Sequence, residues 1–365
     1  MLLLLCTGIS LRAQQGSYAI TNIPTDLMTN ANAVVRVQQM RFEILDTRRT
    51  LLRNYYVVSI LNENGEGHSG FAEYYDKYRD IKSIEGNLYD AQGRLLRKLK
   101  KRELHDLSGV SGETLMDDSR IKQHNFYNRS YPYTVEYTVE IESKGTLFFP
   151  EWTPQPAERL AVQRSTMTMV YPRNYVLRYK GFNYDREPQA GEERMSTTLT
   201  WMVDRLPAIV REPYSPMWHE LSTKVIFGPS AFQVEDYRGT MTTWKDFGKF
   251  VNTLKQGRSG LPASVKNDIH RIADVVPDQK EKLIRLYQYM QSQTRYVSIQ
   301  LGIGSWQPYD ATYVANRKYG DCKALVNYMF SILKEVNIDS YYALVRAGDD
   351  GYITPDFPSQ QFNHV

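Results

Sequence analysis

Cys322 and His364 are the two residues whose types and spacing suit nucleophilic chemistry. Cys322 lies in the segment Lys-Tyr-Gly-Asp-Cys-Lys at residues 318–323, at the predicted start of a helix. Backbone N–H groups and the positive end of the helix dipole favour the thiolate, the reactive form of cysteine, at such a position. His364 follows about forty residues later in Gln-Phe-Asn-His-Val at residues 361–365, where we predict that a strand begins.

The pair of Cys322 and His364 is suited to acyl transfer. In this chemistry the cysteine attacks an amide or ester carbonyl, the histidine pairs with the thiolate and then protonates the leaving amine, and a third polar group orients the imidazole. Backbone N–H groups at the helix start can bind the oxyanion. The alternative is that Cys322 is a small buried hydrophobic residue, since it lies in phase with the apolar face predicted for its helix. Its position alone leaves both interpretations open.

The first fifteen residues form an apolar segment that ends with a small residue, so we predict a signal peptide at residues 1–15. The segment lacks a basic start, and we expect the numbering to begin inside the complete signal peptide. Cys6 is a weak candidate for lipid attachment because the preceding Leu5 is large. Cleavage would leave Cys322 as the one thiol, with no partner for an internal disulfide, which indicates a task for it in an oxidising compartment. We therefore expect a periplasmic or cell-envelope protein, with secretion as the alternative.

Composition limits the classes of partner. The sequence has 45 basic and 41 acidic residues and a net charge of +4, which argues against a dedicated nucleic-acid-binding protein or a polybasic membrane surface. No later segment approaches the roughly 20 apolar residues of a membrane-spanning helix.

His219 and Glu220 lack a second histidine at zinc-binding spacing, and no phosphate-binding or calcium-binding loop is found, so we predict no metal and no cofactor. The histidines interpreted as surface or hydrogen-bonded residues are His68, His105, His124, His219 and His270.

The first half of the chain has the pattern of an all-β structure. Residues 31–205 contain short, alternating, aromatic-rich runs between turn signals and almost no helical period. Tyrosine is abundant, at 27 residues, and aromatic side chains pack well on pleated surfaces. This pattern predicts a β-sandwich or a large twisted sheet with one buried face, with strands at residues 54–61, 84–89, 133–141, 165–171 and 196–203.

A basic run at residues 94–102 interrupts this half. Its leucines alternate with charged residues, and lysines on an edge strand oppose aggregation. We therefore predict a solvated edge strand rather than a binding surface for an acidic partner.

The pattern changes after residue 205, and a chain of 365 residues is long enough for two domains. We place a β-rich domain at residues 16–205, a linker and helical connection at 206–262, and a second domain at 263–365. Caps and apolar periodicity predict helices at residues 243–257, 265–276, 278–293 and 322–336, and a strand at 341–345.

Segments of the second half resemble the bacterial transglutaminase-like domain. They are Tyr-Val-Ser-Ile at 296–299, Leu-Gly-Ile-Gly at 301–304, Trp-Gln-Pro at 306–308, Lys-Tyr-Gly-Asp-Cys-Lys at 318–323 and the histidine segment Phe-Asn-His at 362–364. The first half is similar, at residues 117–122 and 201–214, to the domain of unknown function that commonly precedes this domain in exported bacterial proteins. The resemblance implies an α+β multidomain fold, in which an N-terminal all-β sandwich-like domain precedes a papain/transglutaminase-like α+β core that is incomplete at its C-terminus.

The resemblance also implies a catalytic triad of Cys322, His364 and an acidic residue that follows the histidine on the next strand. This sequence ends before such a residue. Asp349, Asp350 and Asp356 precede the histidine and are interpreted as loop residues.

Members of this superfamily often place an aromatic or amide side chain upstream of the cysteine, where it donates a hydrogen bond to the oxyanion. Trp306 is the candidate here, because an indole N–H can donate in this way. The alternative is that Trp306 packs over the active-site loop as a structural wall. Gln300 and Gln307 are weaker candidates.

The function implied is an exported cysteine-dependent acyl-transfer enzyme that acts on amide bonds of a protein or peptide substrate. Hydrolysis is favoured over glutamine deamidation or cross-linking, because water captures an acyl-enzyme unless the site excludes it and binds an amine. The alternative is a non-catalytic cell-envelope module that binds a protein or glycan on a transglutaminase-like scaffold. A histidine one residue from the end of the sequence would lie on a frayed strand, which leaves an inactive fragment open as well. The oligomeric state stays open.

Overall fold

The computed structural model describes residues 18–109, 114–348 and 351–365, without the side chains of residues 114–117 and Gln300. The predicted signal peptide, Asp349 and Asp350 therefore lie outside the described residues. In this described part of the chain, no helix has the length and apolar character needed to cross a membrane.

The described strands are β1 (Ala33–Asp46), β2 (Arg49–Ile60), β3 (Gly70–Tyr75), β4 (Arg79–Tyr89), β5 (Leu95–Lys98), β6 (His105–Ser108), β7 (Thr114–Asp117), β8 (Arg120–Asn125), β9 (Tyr133–Lys144), β10 (Leu160–Pro172), β11 (Arg178–Phe182), β12 (Gln189–Glu193), β13 (Ser196–Leu206), β14 (Lys224–Gly228), β15 (Ala231–Val234), β16 (Tyr237–Thr240), β17 (Arg295–Tyr296), β18 (Ser298–Gln300) and β19 (Tyr319–Gly320). The described α-helices are α1 (Thr25–Met28), α2 (Trp218–Leu221), α3 (Trp244–Lys255), α4 (Ala263–Ala273), α5 (Gln279–Gln293), α6 (Ala311–Arg317) and α7 (Cys322–Glu335). The fold is thus rich in β-structure up to β16, and most of its helical residues follow.

An eight-stranded sheet dominates the first half, in the order β12-β13-β10-β1-β2-β9-β4-β5. Strands β1 and β10 run parallel, and the other neighbours are antiparallel. Alternating apolar residues line one face, because successive side chains of a strand point to opposite sides. At one end this face packs on the small sheet β3-β8-β6, and at the other end on the β11-β14 pair. The arrangement is a large sheet with smaller sheets against one face.

The basic run forms the edge of this sheet, as predicted. Strand β5 pairs with β4 alone among the described strands, and all four of its residues are exposed. The strand is shorter than the predicted run, since residues 101–103 form a 3-10 turn.

The helices of the second half divide into two packing groups. Helices α4, α5, α6 and α7 share a core around Ile269, Leu286 and Tyr328. Helix α3 packs instead on the β15-β16 hairpin, through the buried rings of Phe247 and Phe250. The predicted caps are present, because the Thr243 and Asp278 side chains accept hydrogen bonds from backbone N–H groups three residues later.

Two expectations for the second half are corrected. The segment 341–345 is not a regular strand, and Val345 alone within it forms a bridge, to His364. We expected Cys322 to lie on the buried apolar face of its helix. The buried face of α7 is instead centred on Ala324, Tyr328 and Ile332. Cys322 is consequently turned away from the centre of the helical core and is half-buried.

Candidate active site

Cys322 is the first residue of α7, as the sequence predicts. Asp321 precedes it as the helix N-cap, and its carboxylate accepts a hydrogen bond from the Ala324 backbone N–H at 2.9 Å. The backbone N–H of Lys323 faces the Cys322 sulfur. The cap is almost completely buried, with Asp321 only 1% exposed, so the start of the helix is firmly fixed.

A short parallel strand pair positions the residues around the cysteine. Strand β17 pairs with β19, so that Tyr296 lies opposite Gly320, and the Val297 N–H donates to the Gly320 carbonyl at 3.0 Å. A Cβ atom on residue 320 would lie 2.8 Å from the Ala324 Cβ, which explains the glycine in this motif. The pairing brings β17 against the start of α7.

His364 is held by its bridge to Val345, with N···O distances of 2.9 and 3.1 Å. Asn363 supports the bridge, because its side-chain amide donates to the Ala347 carbonyl at 3.0 Å and its amide oxygen accepts from the Ala347 N–H at 2.8 Å. The histidine itself is exposed. The bridge, the Asn363 side chain and the packing of the adjacent Phe362 ring on Trp244 and Phe247 together define its place.

The three residues selected from the sequence, Cys322, His364 and Trp306, line one cleft of about 160 Å³. Their catalytic roles stay predictions. The other residues that line the cleft are Tyr296, Ser305, Lys323, Leu344, Phe362, Asn363 and Val365.

Burial of the Cys322 side chain opposes the thiolate in this arrangement. Burial raises the pKa of the Cys322 thiol, and Asp321 raises it further, whereas the Lys323 cation, the backbone N–H of Lys323 and a hydrogen bond from Tyr296 lower it. Lys323 and Asp321 are both buried and form an ion pair with an N···O distance of 2.5 Å, so the charge of each is largely offset by the other. The backbone N–H at the helix start lowers the pKa of the thiol, as expected, but burial outweighs this effect and the net direction is upward.

Tyr296 is a site residue that sequence reasoning missed. Its hydroxyl hydrogen-bonds to the Cys322 sulfur, and its oxygen also faces the backbone N–H of Cys322. Burial and the neighbouring thiol raise the pKa of the phenol, so it remains an O–H donor. The available signal was its place in the Tyr-Val-Ser-Ile motif, but only the pairing of β17 with β19 shows that it reaches the cysteine.

Trp306 packs between two aromatic rings, with centroid distances of 5.6 Å to Phe148 and 6.4 Å to Phe247. This packing fits the structural-wall alternative. Gln307 is directed elsewhere, since its amide donates to the Tyr237 hydroxyl at 2.9 Å and it does not line the cleft. Gln300 belongs to β18.

The remaining candidates lie outside the cleft. Asp356 pairs with Lys180 of β11 at 2.5 Å and is a loop residue, as predicted. Three of the other histidines have identified contacts: His124 hydrogen-bonds to Tyr137 at 2.8 Å, His219 stacks on Tyr352 and His270 contacts Asp274. His68 is half-buried and His105 is exposed. Across the described residues, no three His, Cys, Asp or Glu side chains are grouped to hold a metal ion.

Comparisons with known proteins agree with parts of this description. Residues 48–210 match the domain of unknown function with solved structure DUF3857. The fold is similar to the crystal structure of a candidate protease from Parabacteroides distasonis, with a TM-score of 0.64 and 12% sequence identity. The overlay covers 83% of this chain and 59% of that protein, so the chain spans well under two thirds of its length. At this identity the similarity concerns the fold alone.

Other solved structures overlay poorly. The M1 zinc metallopeptidase from Deinococcus radiodurans gives a TM-score of 0.26 at 9% identity, over 71% of this chain and 53% of that one. A two-domain M1 zinc metallopeptidase with bound L-tryptophan gives 0.27 at 10% identity, over 72% and 54%. These values are too low to indicate a common fold. No curated protein matches the chain significantly.

Proposed function

We propose that the protein is an exported cysteine peptidase or amidase, in which residues 263–365 form part of a transglutaminase-like core. One observation carries the proposal: Cys322, at a capped helix start, and His364, on a separate segment, line the same cleft. The two residues are positioned independently, because the helix core holds Cys322 and the bridge to Val345 holds His364. A thiol and an imidazole in one cleft are the groups that acyl transfer needs.

The chemical steps follow from these groups. His364 takes the proton from the Cys322 sulfur, and the sulfur attacks the amide carbonyl carbon, whose electron pair moves to the oxygen. The Tyr296 O–H stabilises this oxyanion, and the backbone N–H of Cys322 orients the phenol by donating to its oxygen. The imidazolium then protonates the leaving amine as the C–N bond breaks, and water hydrolyses the thioester and restores the thiol.

Because burial raises the pKa of the thiol, proton transfer to His364 is a necessary step rather than a resting ion pair. We propose that substrate binding closes the exposed histidine onto the cysteine.

We propose hydrolysis as the reaction, with water as the acyl acceptor, because water captures an acyl-enzyme unless the site excludes it and binds an amine. We also propose cleavage of residues 1–15, a β-rich domain at 16–205 and a connection at 206–262. A periplasmic or envelope location follows from that leader.

A non-catalytic binding module is the second candidate. The raised pKa of the Cys322 thiol favours it, since a neutral thiol in a cleft is also what a packing residue would be. The two candidates differ in whether Cys322 and His364 are needed for turnover or only for shape.

The test is hydrolysis of fluorogenic peptides by the full-length protein and by its C322A and H364A variants. We expect both variants to lose at least about a thousandfold in kcat/KM. His270→Ala is the matched control, because His270 is a surface histidine bound to Asp274, and it should retain full activity. Equal turnover in C322A and wild type would remove the catalytic proposal, and peptide binding without turnover in every protein would favour the binding module.

A further inference from the structure

We infer that the β-rich half of the chain, which runs from β1 to β16, supplies a pocket for an apolar side chain of the peptide substrate. The pocket lies beside the cleft that contains Cys322. The inference rests on the proposed peptidase function and names the substrate class of the same site. It also gives the domain of unknown function a role in recognition.

The pocket is a cavity of about 350 Å³ that adjoins the Cys322 cleft. Ser305 and Trp306 line both spaces, so the two share a wall. The volume lies at the lower end of the range for small-ligand sites, which suits one large side chain. A peptide bound across Cys322 can therefore place a side chain in this pocket.

The walls are apolar and come mainly from the β-rich half. They include Phe42 of β1, Leu52 of β2, Phe148 and Phe149 of the segment after β9, and Val234 of β15. Trp306 is the main contribution from the second half. The pocket thus exists only where the two halves of the chain meet.

Three charged residues also line the pocket, and they are Asp76, Arg79 and Lys144. The Asp76 carboxylate accepts hydrogen bonds from the backbone N–H groups of Tyr78 and Arg79, at 2.7 and 2.8 Å. The Arg79 guanidinium pairs with Glu73 at 2.8 Å. The charges of Asp76 and Arg79 are thus satisfied, and an ion pair with the exposed Lys144 would gain little free energy. Burial of a charged substrate side chain is therefore disfavoured, and an apolar one is favoured.

Phe148 is held at the mouth of the pocket by a tightly anchored segment. Leu147 before it is 1% exposed, and Phe149 after it packs on Phe42 with ring centroids 5.0 Å apart. Phe148 itself is 55% exposed beside Trp306. Phe148 therefore presents an exposed aromatic face to the pocket while its neighbours anchor the backbone.

Thr146 fixes the start of the same segment. Its backbone N–H donates to the Gln233 carbonyl at 3.0 Å, and its hydroxyl donates to the Thr47 carbonyl at 2.9 Å. The preceding Gly145 has φ of +105°, and a Cβ there would meet the Gln233 carbonyl oxygen at 2.8 Å. The wall is therefore preorganised, as a specificity pocket requires.

The experiment measures the rate at which peptidyl chloromethyl ketones label Cys322 of the full-length protein, read by intact-protein mass spectrometry. The reagents carry Leu, Phe, Ala or Asp at successive positions of the peptide. At one position of the peptide, we expect the reagents with Leu or Phe to label Cys322 at least about tenfold faster than the reagent with Ala. The reagent with Asp should label it most slowly. Iodoacetamide, which has no side chain, reports the reactivity of the thiol alone.

Phe148→Ala should remove most of the preference for Leu and Phe while leaving the iodoacetamide rate unchanged. Tyr127→Ala is the matched control, because Tyr127 is an aromatic residue of the same half, 78% exposed and outside the pocket. Thermal unfolding of both variants shows whether the fold is retained, and Phe148→Leu, which keeps an apolar wall, should retain part of the preference.

Two outcomes separate this inference from the proposed function. If the peptidyl reagents label Cys322 at rates that do not depend on the side chain, or if F148A keeps the full preference, the pocket is not a subsite although Cys322 can still be catalytic. If no peptidyl reagent labels Cys322 and no peptide is hydrolysed while iodoacetamide reacts, the proposed function fails, and the subsite with it.

Discussion

The two sides of the cleft are built in different ways. Cys322 starts a helix whose cap is buried and whose core packs on three other helices. His364 lies on an irregular segment that is held by one bridge, the Asn363 side chain and the packing of Phe362 on α3. Cys322 is thus fixed by the packing of its own helix, whereas His364 is placed by contacts between an irregular segment and distant parts of the chain.

The segment that leads to His364 is attached to the first half of the chain and to α3. Asp356 pairs with Lys180, the Arg178 guanidinium lies 4.8 Å from the centre of the Phe357 ring, and the Trp244 indole donates to the Pro355 carbonyl. The β-rich half therefore helps to position the histidine as well as the proposed pocket. We therefore expect substitutions at the start of α7 to lower the free energy of unfolding. Substitutions in the segment that carries His364 should mainly lower the catalytic rate.

The largest effect is expected for Asp321→Ala. The change removes the N-cap of α7 and leaves the buried Lys323 cation without its partner, so the free energy of unfolding should fall by about 3–5 kcal/mol. Urea denaturation measures this loss. Asp278→Ala is the matched control, because Asp278 caps α5 in the same way but is exposed, and it should cost about 1 kcal/mol. Equal losses would mean that the buried ion pair does not fix the helix start.

Tyr296→Phe should lower kcat about a hundredfold with little change in KM, because it removes an oxyanion donor and leaves the ring in place. Steady-state peptide hydrolysis measures both constants. Tyr287→Phe serves as the control, since Tyr287 of α5 has the same 48% exposure as Tyr296 but lies outside the cleft. A change in KM alone would assign Tyr296 to substrate binding instead.

Asn363→Ala tests the histidine side of the comparison. Both hydrogen bonds to Ala347 are lost, so His364 should be placed less accurately and kcat/KM should fall about tenfold. The free energy of unfolding should change by no more than about 1 kcal/mol, since the residue is exposed. Unchanged activity would show that the bridge to Val345 suffices to position the histidine.

The smallest effect concerns the pH dependence of thiol reactivity. Because the pKa of Cys322 is raised by burial, its alkylation in the absence of substrate should stay slow at neutral pH and increase only above the ordinary thiol value of about 8.5. In the Tyr296→Phe variant the increase should move to still higher pH, since a hydrogen bond to the thiolate is lost. Iodoacetamide rates between pH 6 and 10 provide the measurement, and rapid labelling at pH 6 would contradict the assigned protonation state.

The sequence predicted those features that depend on neighbouring residues. The starts of α3 and α5 follow from the capping side chains of Thr243 and Asp278, and the edge position of β5 follows from its charge pattern. These signals are local, so they need no knowledge of the fold.

Other features depend on contacts between distant segments and could not be predicted. Tyr296 reaches Cys322 only because β17 pairs with β19, and the segment 341–345 pairs only at Val345. The direction of the thiol pKa depends on burial by several elements, which outweighs the local helix dipole. Placement of Trp306 between Phe148 and Phe247 likewise requires the two halves of the chain to meet.

The central claim is that Cys322 forms a covalent acyl-enzyme with help from His364. Rapid mixing of the full-length protein with a peptide ester, followed by acid quenching and intact-protein mass spectrometry, tests this most directly. We expect a transient mass increase equal to the acyl group, located on Cys322 and removed by hydroxylamine. The adduct should be absent in C322A and should form far more slowly in H364A. Turnover of the ester without any adduct on Cys322, or adduct formation at the same rate in H364A, would contradict it.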